Sequence, residues 1–283
     1  MKKILLSVFL LLTAFLHSAH PSKYVIGHWP GGMGAGLAST LDHLLYCETN
    51  NLVPVVYWDH GVYYNSDGFN GTKNEWGYYF NPVSHLEYNE EDEIHHFYTH
   101  SHGCTGFNYY HMSQEKRDVA YRLISKYITL NSVLQAKVDK FYNDHLRGRK
   151  TVAIHIRGTD KYTEDLPVPS EIMVAEALKY ADENTQFFLA TDEKRLLDEM
   201  CELLRTKKVI YYNCYRSEDG HALHLGNSPK RPGKPHVSQL GEDVIVEMWL
   251  MAKCDVLIHT SSNVSTVPLY INPEMKEVTL IGN

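Results

Sequence analysis

The sequence lacks the basic excess of a nucleic-acid-binding protein. It contains 27 Lys and Arg residues against 34 Asp and Glu residues, for a formal net charge of −7. Binding to nucleic acid usually needs a dominant basic face, so this charge balance argues against that class of partner. Hydrophobic residues make up 43% and charged residues 22% of the chain, which is ordinary for a folded protein and implies no long disordered region.

Cysteine is scarce and widely spaced. The five cysteines are Cys47, Cys104, Cys201, Cys214 and Cys254, and no two of them form a C-x-x-C pair. This spacing excludes the usual zinc-ribbon and thioredoxin motifs. It leaves one or two disulfides open if the protein is exported.

Zinc-site spacing is also missing from the most histidine-rich segment. Its ligand-capable side chains are His95, His96, His100, His102, Cys104 and His111. A zinc site usually combines H-x(3–5)-H with C-x(2–4)-C, and here His96 and His100 supply only one half of that pattern. A metal protein stays an alternative, but we expect no metal site and no bound cofactor. A solvated loop beside a binding cleft is the favoured interpretation.

No apolar run has the length of a comfortable membrane span. The run from Ile4 to Leu16 follows Lys2 and Lys3, as in the apolar core of a signal peptide, and it is shorter than the roughly 20 residues that a membrane helix needs. Residues 1–19 are therefore predicted to be a signal peptide or a short anchor, with possible membrane association through residues 4–16. The protein is then exported or enters the secretory pathway, and it is cytoplasmic if this segment does not function.

Tyrosine and histidine are abundant instead. The chain has 20 Tyr and 17 His, and many of them lie between Tyr57 and His111, in a segment that reads as long loops. Aromatic faces with polar tips suit sugar rings, although composition alone favours a Tyr-rich core and surface. Long irregular segments in compact domains tend to carry function.

The chain begins with half of a nucleotide-binding βαβ unit. Apolar runs predict strands at 24–28 and 52–57, with a helix at 37–50 between them. The Gly-rich turn before that helix contains Gly32 and Gly34, which would let the backbone and the helix N-terminus approach an anion. The glycines alternate and do not form G-x-G-x-x-G, so a plain tight turn explains them equally well.

A long helix and a second α/β half follow. Helical spacing runs from Gln114 to Arg147, and Gly148 ends it. From Thr151 strands and helices alternate, which predicts a parallel sheet with ligands at the carboxyl ends of its strands. The predicted strands are 151–156, 186–190, 209–212, 255–259 and 278–281, and the predicted helices are 169–184, 193–204, 243–253 and 263–270. We infer an N-terminal domain at 20–148 and a C-terminal, ligand-binding domain at 149–283.

Three polar motifs follow strands of this second half. The first strand delivers His155, Arg157, Asp160 and Lys161. An Arg side chain can bind a diphosphate through two parallel hydrogen bonds, and a Lys adds a point charge. A structural salt bridge between Arg157 and Asp160 is the alternative.

The other two motifs are Thr191-Asp192-Glu193 and the turn at Ser261 and Ser262. Asp192 could accept from nucleotide hydroxyls or base amines, or it could cap the following helix. Ser261 and Ser262, with the helix N-terminus after them, form either a small anion site or an ordinary Ser cap. Together the three motifs predict a phosphate-bearing ligand.

The segment from His155 to Lys161 resembles the His-x-Arg-x-x-Asp motif of the α1,6-fucosyltransferase and nodulation fucosyltransferase superfamily, to which the protein O-fucosyltransferases are related. The stretches around Asp192 and from Glu247 to Ser265 resemble later motifs of that superfamily in the same order. The resemblance covers roughly residues 24–283 and is specific from 151 onward. It implies a GT-B-like α/β fold with two Rossmann-type halves, GDP-fucose as donor, inversion at the anomeric carbon and no metal.

The resemblance also implies roles for individual residues. Arg157 would hold the β-phosphate, Asp160 would position the motif, and Lys161 would contact the donor or acceptor. Further implied residues are Asp165 or Glu164 as the base, Asp192 and Glu193 at the guanosine end, Glu247 in place of the family's Asp, and Ser262 at the phosphate. Two positions depart from the family pattern: Gly158 replaces a second Arg, and Ala35 replaces an Asn.

These observations make a glycosyltransferase that moves fucose to a glycan or protein hydroxyl the expected function. Two alternatives remain open at this point. The chain could use another nucleotide-sugar donor, because Arg157 would contact phosphate and not the sugar. It could also be a non-catalytic carbohydrate-binding descendant of the fold, which the presence of Glu164 and Asp165 disfavours.

Overall fold

The computed structural model describes residues 22–96, 106–107, 109, 112–160, 166–223 and 234–282. Within these ranges the chain forms two parallel β-sheets, one of three strands and one of five. The predicted leader at 1–19 lies outside them. No helix within the described ranges is both long and apolar enough to cross a membrane, and the four described cysteines are free thiols.

The first sheet has the strand order β2-β1-β3. Its strands are β1 (Lys23–Ile26), β2 (Val53–Val56) and β3 (Ile94–His95), and helix α1 (Met33–Thr49) connects the first two. The central strand β1 therefore runs directly into the Gly-rich turn and the start of α1. Strand β3 was not predicted, because two residues are too few to show a period of two.

The predicted helix at 114–147 is wrong as a single element. The structure has α2 (Gln114–Tyr127), α3 (Ser132–Phe141) and a π-turn at Tyr142–Leu146. The break arises at Asn131, whose side chain accepts from the backbone N–H groups of Val133 and Leu134 at 3.1 and 3.0 Å. Asn is a strong helix N-cap, so it starts a new helix where apolar spacing alone suggests continuation.

The second sheet has the strand order β6-β5-β4-β7-β8, and every pair is parallel. Its elements are β4 (Thr151–Ile156), α4 (Ser170–Leu178), β5 (Gln186–Thr191), α5 (Lys194–Leu203), β6 (Lys208–Tyr211), α6 (Val237–Met251), β7 (Val256–Thr260), α7 (Asn263–Ile271) and β8 (Lys276–Leu280). The order reverses between β4 and β7, and such a switch point is where open α/β sheets bind ligands.

Most strands of this half match their predicted positions, whereas two helices do not. Helix α4 ends at Leu178 and not at Asn184 as predicted. Helix α6 begins at Val237, before the predicted start at Asp243, because the His236 side chain caps it by accepting from the Ser238 N–H at 3.2 Å. Buried strands such as β4 produce a continuous apolar signal in the sequence. A His N-cap gives no comparable signal.

The two halves share one hydrophobic core. Buried side chains of α1 and α2, including Leu44 and Leu123, belong to the same cluster as Leu250 on α6 and Leu269 on α7. Polar contacts join the halves as well: the Tyr270 hydroxyl donates to the carbonyl of Phe107 at 2.9 Å. Burial of this extent disfavours free movement of one half against the other.

Candidate functional site

A cavity of about 490 Å³ lies between the two halves. One wall is formed by the Gly-rich turn at 29–32, the first residues of α1 at 33–35, and Val62 and Tyr63. The opposite wall carries the predicted site residues His155, Arg157, Asp160, Asp192, Glu247 and Ser262, at the carboxyl ends of β4, β5 and β7 and on α6. The volume suits a small organic ligand, and the place is the one that the strand order predicts.

Two helix N-termini meet at this cavity. Helix α1 starts after Gly32 and helix α7 starts after Ser262, and both of these N-cap residues line the cavity. The Ser262 hydroxyl accepts from the Val264 N–H at 3.2 Å, so it is a helix cap. Helix N-termini carry partial positive charge. With Arg157 on the same cavity they create a site for a strongly anionic group.

Gly34 makes a close approach to protein backbone. A Cβ atom placed there would lie 2.5 Å from the carbonyl carbon of Asn263 and 2.7 Å from the N of Val264. The first turn of α1 therefore packs directly on the start of α7. This contact brings the two helix N-termini together, and only glycine allows it.

Replacing Gly34 with Ala is expected to separate the two helix N-termini, because the new methyl group would overlap backbone atoms that cannot rotate away. We expect a loss of about 1–3 kcal/mol in unfolding free energy, the usual cost of overpacking, together with weaker binding of an anionic ligand. Gly32→Ala is the matched control, since a Cβ there meets nothing within 4 Å and its φ of −65° suits any residue. Denaturant unfolding curves of equal midpoint for the two variants would contradict this role.

The loop after β4 is held by hydrogen bonds to two carboxylates. Arg157 Nη2 lies 2.8 Å from Asp160 Oδ1, so the salt bridge considered as the alternative to phosphate binding exists, and both residues line the cavity. The Asp192 carboxylate accepts from the Gly158 N–H at 2.8 Å and from the Thr159 hydroxyl at 2.7 Å. Asp192 therefore links the end of β5 to the Arg157 loop.

The interpretation of Asp192 as a helix cap is wrong. Helix α5 begins at Lys194, and its N-cap position belongs to Glu193, which makes no side-chain cap bond. The Asp192 carboxylate is engaged by the neighbouring loop instead. Burial raises its pKa, and the hydrogen bonds from Thr159 and Gly158 oppose that shift.

Glu193 and Ser261 lie away from the large cavity. Both line a separate cavity of about 130 Å³ on the other side of the Arg157 loop. The Glu193 carboxylate accepts from Arg195 Nε at 2.8 Å, and a Cβ at Gly158 would lie 2.8 Å from Glu193 Cβ and 2.7 Å from Leu196 Cδ1. This contact gives a steric reason for Gly at a position where the resembling family has Arg.

His155 is a neutral imidazole in the cavity wall. It pairs in register with His259 across β4 and β7. Burial, His259 and Arg157 together lower the pKa of His155 to about 3. Its Nδ1 atom has no hydrogen-bond partner among the described residues, so a bound ligand could supply one.

Helix α6 contributes a buried carboxylate with an Arg partner. Glu247 Oε1 accepts from Arg216 Nη2 at 2.8 Å, and burial raises the pKa of Glu247 to about 7 although Arg216 opposes the shift. Asp243, one helical turn earlier, lines the same cavity, and burial raises its pKa to about 6. Sequence reasoning missed Arg216 and Asp243. The spacing of Asp243 and Glu247 on one helix face was the available signal.

Tyr63 and Glu75 were missed as well. Tyr63 lines the cavity and is buried. The Glu75 carboxyl is buried against Gly61, and burial raises the pKa of Glu75 to about 8. Both residues lie in the long irregular segment, where no periodicity marks a buried position.

Replacing Glu75 with Gln is expected to stabilise the protein increasingly, relative to wild type, as pH rises from about 5 to about 8. The folded protein keeps a proton on Glu75 that the unfolded chain, with a pKa near 4.5, has released. The contribution of protonated Glu75 to the stability of the wild-type protein is thus fully present below pH 4.5 and is lost as pH approaches 8. The difference in unfolding free energy should change by at most about 1.4 kcal/mol per pH unit.

Denaturant unfolding at several pH values checks this expectation. Glu171→Gln, on the exposed surface of α4, serves as the control and should follow the wild-type curve at every pH. If Glu75→Gln also ran parallel to wild type, Glu75 would be ionised in the folded protein at neutral pH.

Several predicted residues lie outside the described ranges. They are Lys161, Glu164 and Asp165 of the Arg157 loop, and His100, His102, Cys104 and His111 of the histidine-rich segment. Within the described part of the chain, no group of three or more His, Cys, Asp or Glu side chains could hold a metal ion. The assignment of the base and the absence of a metal therefore stay predictions.

No protein-family model matches the chain, and a comparison with curated protein sequences finds no match. Solved structures match in fold. The α1,6-fucosyltransferase NodZ, known from Bradyrhizobium, aligns in a GDP-fucose-soaked crystal with a TM-score of 0.56 at 17% identity, over 89% of this chain and 93% of that one. A mutant of Arabidopsis thaliana FUT1 in complex with GDP aligns with a TM-score of 0.52 at 11% identity, over 94% of this chain and 72% of that one.

POFUT1 in complex with GDP aligns with a TM-score of 0.51 at 11% identity, over 94% of this chain and 100% of that one. At such identities the likeness establishes the fold. The chain has the two-sheet α/β architecture of GT-B fucosyltransferases, which confirms the predicted fold class. The resemblance that the motifs indicated is confirmed at the level of the fold.

Proposed function

We propose that the protein is an inverting, metal-independent glycosyltransferase that transfers fucose from GDP-fucose to a glycan or protein hydroxyl. The observation that carries this proposal is the meeting of Arg157 with the N-termini of α1 and α7 in one interdomain cavity. This arrangement suits a diphosphate. Structures of similar fold have been determined with GDP-fucose or GDP bound.

The other end of the cavity suits a guanine base. Apolar side chains there, Leu223, Leu240 and Val244, would cover the faces of a flat ring. The carboxyls of Asp243 and Glu247 would accept hydrogen bonds from the ring N–H and the exocyclic amine of guanine. Adenine and uracil do not offer this pair of donors, so the acidic end favours GDP over ADP and UDP.

The diphosphate is then the leaving group of the transfer. The bond between fucose C1 and the β-phosphate oxygen breaks, its electron pair stays on that oxygen, and the acceptor oxygen bonds to C1 from the opposite face. Arg157, Lys161 and the helix N-termini would stabilise the charge that develops on the diphosphate. The acceptor proton would pass to Asp165 or Glu164 as general base.

Calorimetry of the purified protein with GDP-fucose, GDP-mannose and GDP, each with and without EDTA, tests the proposal. We expect binding of all three guanosine diphosphates, unchanged by EDTA, with a preference for the fucose donor. A protein that binds none of them is not a fucosyltransferase. A screen of other nucleotide sugars would then separate a different donor from a non-catalytic carbohydrate-binding protein.

A further inference from the structure

Tyr63 is a buried phenol of the cavity wall that contacts both halves of the protein. It belongs to the N-terminal half and is 4% exposed. Its carbonyl accepts from the Ser238 hydroxyl at 2.9 Å, and Ser238 is on α6 of the C-terminal half. This hydrogen bond ties the main chain of Tyr63 to α6.

The ring of Tyr63 is fixed as well. A Cβ at Gly241 on α6 would lie 2.9 Å from Tyr63 Cγ, so the ring packs directly on the α6 backbone. A residue held by packing and hydrogen bonds keeps its functional group in one position without ordering cost on ligand binding. Such preorganisation is what a group needs to act on a developing charge.

Tyr63 shares the cavity with the groups that would bind an anion. It lines the cavity together with Met33, the first residue of α1, and Arg157, and its hydroxyl interacts electrostatically with Glu75, Arg157 and Asp192. Burial raises the pKa of Tyr63, so the phenol keeps its proton at neutral pH. Because Tyr63 lines the cavity with Arg157, this proton is available to a ligand bound there.

We propose that the Tyr63 hydroxyl donates a hydrogen bond to the sugar-bearing phosphate of the donor, as a catalytic residue contributed by the N-terminal half. The inference rests on the proposed function, since it needs a diphosphate at Arg157. When the C1–O bond breaks, the electron pair remains on the β-phosphate oxygen. Tyr63 stabilises that charge without giving up its proton, and the acceptor proton leaves through the base.

Tyr63→Phe tests this role because it removes the hydroxyl and keeps the ring that packs on Gly241. The probes are GDP, which has the β-phosphate, and GMP, which lacks it, with affinities measured by calorimetry. We expect about 10-fold or greater loss of GDP affinity, in the range of one hydrogen bond to a charged group. GMP affinity should stay within about 2-fold, since nothing at that end of the site changes.

Tyr78→Phe is the matched control. Tyr78 is buried in the same half, and its hydroxyl donates to the Asn65 carbonyl at 3.0 Å, away from the residues that line the cavity. This variant should bind GDP and GMP like wild type. In an assay of GDP release from GDP-fucose, Tyr63→Phe should lower kcat more than it raises KM.

Equal losses for GDP and GMP in Tyr63→Phe would show a structural role and overturn the inference. Unchanged affinity for both nucleotides would also overturn the inference. A wild-type protein that binds neither nucleotide would overturn the proposed function itself. The two failures are therefore distinguishable, because the second is seen before any variant is made.

Discussion

Replacing Arg157 with Ala is expected to lower the turnover of GDP-fucose about 100- to 1000-fold, or about 3–4 kcal/mol in activation free energy, as when one preorganised donor is removed from a developing anion. Arg157 can place two donors on a phosphate, and no other described cation lines the large cavity. Lys in its place should recover part of the loss, because it restores the charge without the two-pronged geometry.

The fold should survive the Arg157→Ala change. The side chain is 21% exposed, and Asp160, its partner, is partly exposed and can be solvated. Arg195→Ala is the matched control, because Arg195 lies near the same sheet edge but lines only the smaller cavity and is 65% exposed. Near-normal turnover by Arg157→Ala at saturating donor would remove this residue from the mechanism.

Replacing Arg216 with Ala is expected to lower the unfolding free energy by about 3–5 kcal/mol at pH 8, the usual cost of leaving one partner of a buried ion pair alone. The side chains of Arg216 and Glu247 are only 4% and 11% exposed. Arg216 also donates to the carbonyls of Tyr212 and Cys214 at 3.1 and 3.2 Å. The change would therefore leave one buried carboxylate and two half-buried carbonyls without this donor.

The Arg216 effect should depend on pH. Burial already raises the pKa of Glu247 to about 7, and without Arg216 the pKa would rise further. At about pH 5 the lone carboxyl is therefore neutral, and the destabilisation should shrink. Denaturant unfolding at both pH values measures the difference.

Two further variants make the Arg216 prediction specific. Arg205→Ala removes an exposed pair with Glu202, whose side chains are 69% and 73% exposed, and should change stability by less than about 1 kcal/mol. The double change Arg216→Met with Glu247→Leu should recover most of the stability, since apolar replacements of both partners are often near neutral. A loss below about 1 kcal/mol for Arg216→Ala alone would show that Glu247 is solvated.

The second half of the fold could be predicted almost completely from the sequence. Strand β4 occupies the predicted residues Thr151–Ile156, and β5 extends the prediction by one residue, to Thr191. These strands are buried on both faces, so their apolar runs are continuous and easy to recognise. The first half was less predictable, because β3 is two residues long and Asn131 divides a helix that apolar spacing extends.

The candidate site was also only partly predictable from the sequence. Arg157, Asp192 and Ser262 were predicted because each follows a strand, and the carboxyl ends of parallel strands meet at one edge. Glu193 is adjacent to Asp192 in sequence, yet it faces the smaller cavity. Neighbouring residues at the end of a strand point to opposite sides, and the motif alone does not say which side contains the ligand.

The sequence by itself determined the order of the strands and helices of the second half, the polar motifs at the strand ends and the α/β class, because all of these depend on local patterns. Only the tertiary structure decided that Tyr63 shares a cavity with Arg157, that Arg216 pairs with Glu247, and that Gly34 rests on Asn263. These contacts join residues far apart in the chain: Tyr63 and Ser238 are separated by 175 positions. They form because the two halves share one hydrophobic core, and the packing of that core is a property of the whole chain and of no single motif.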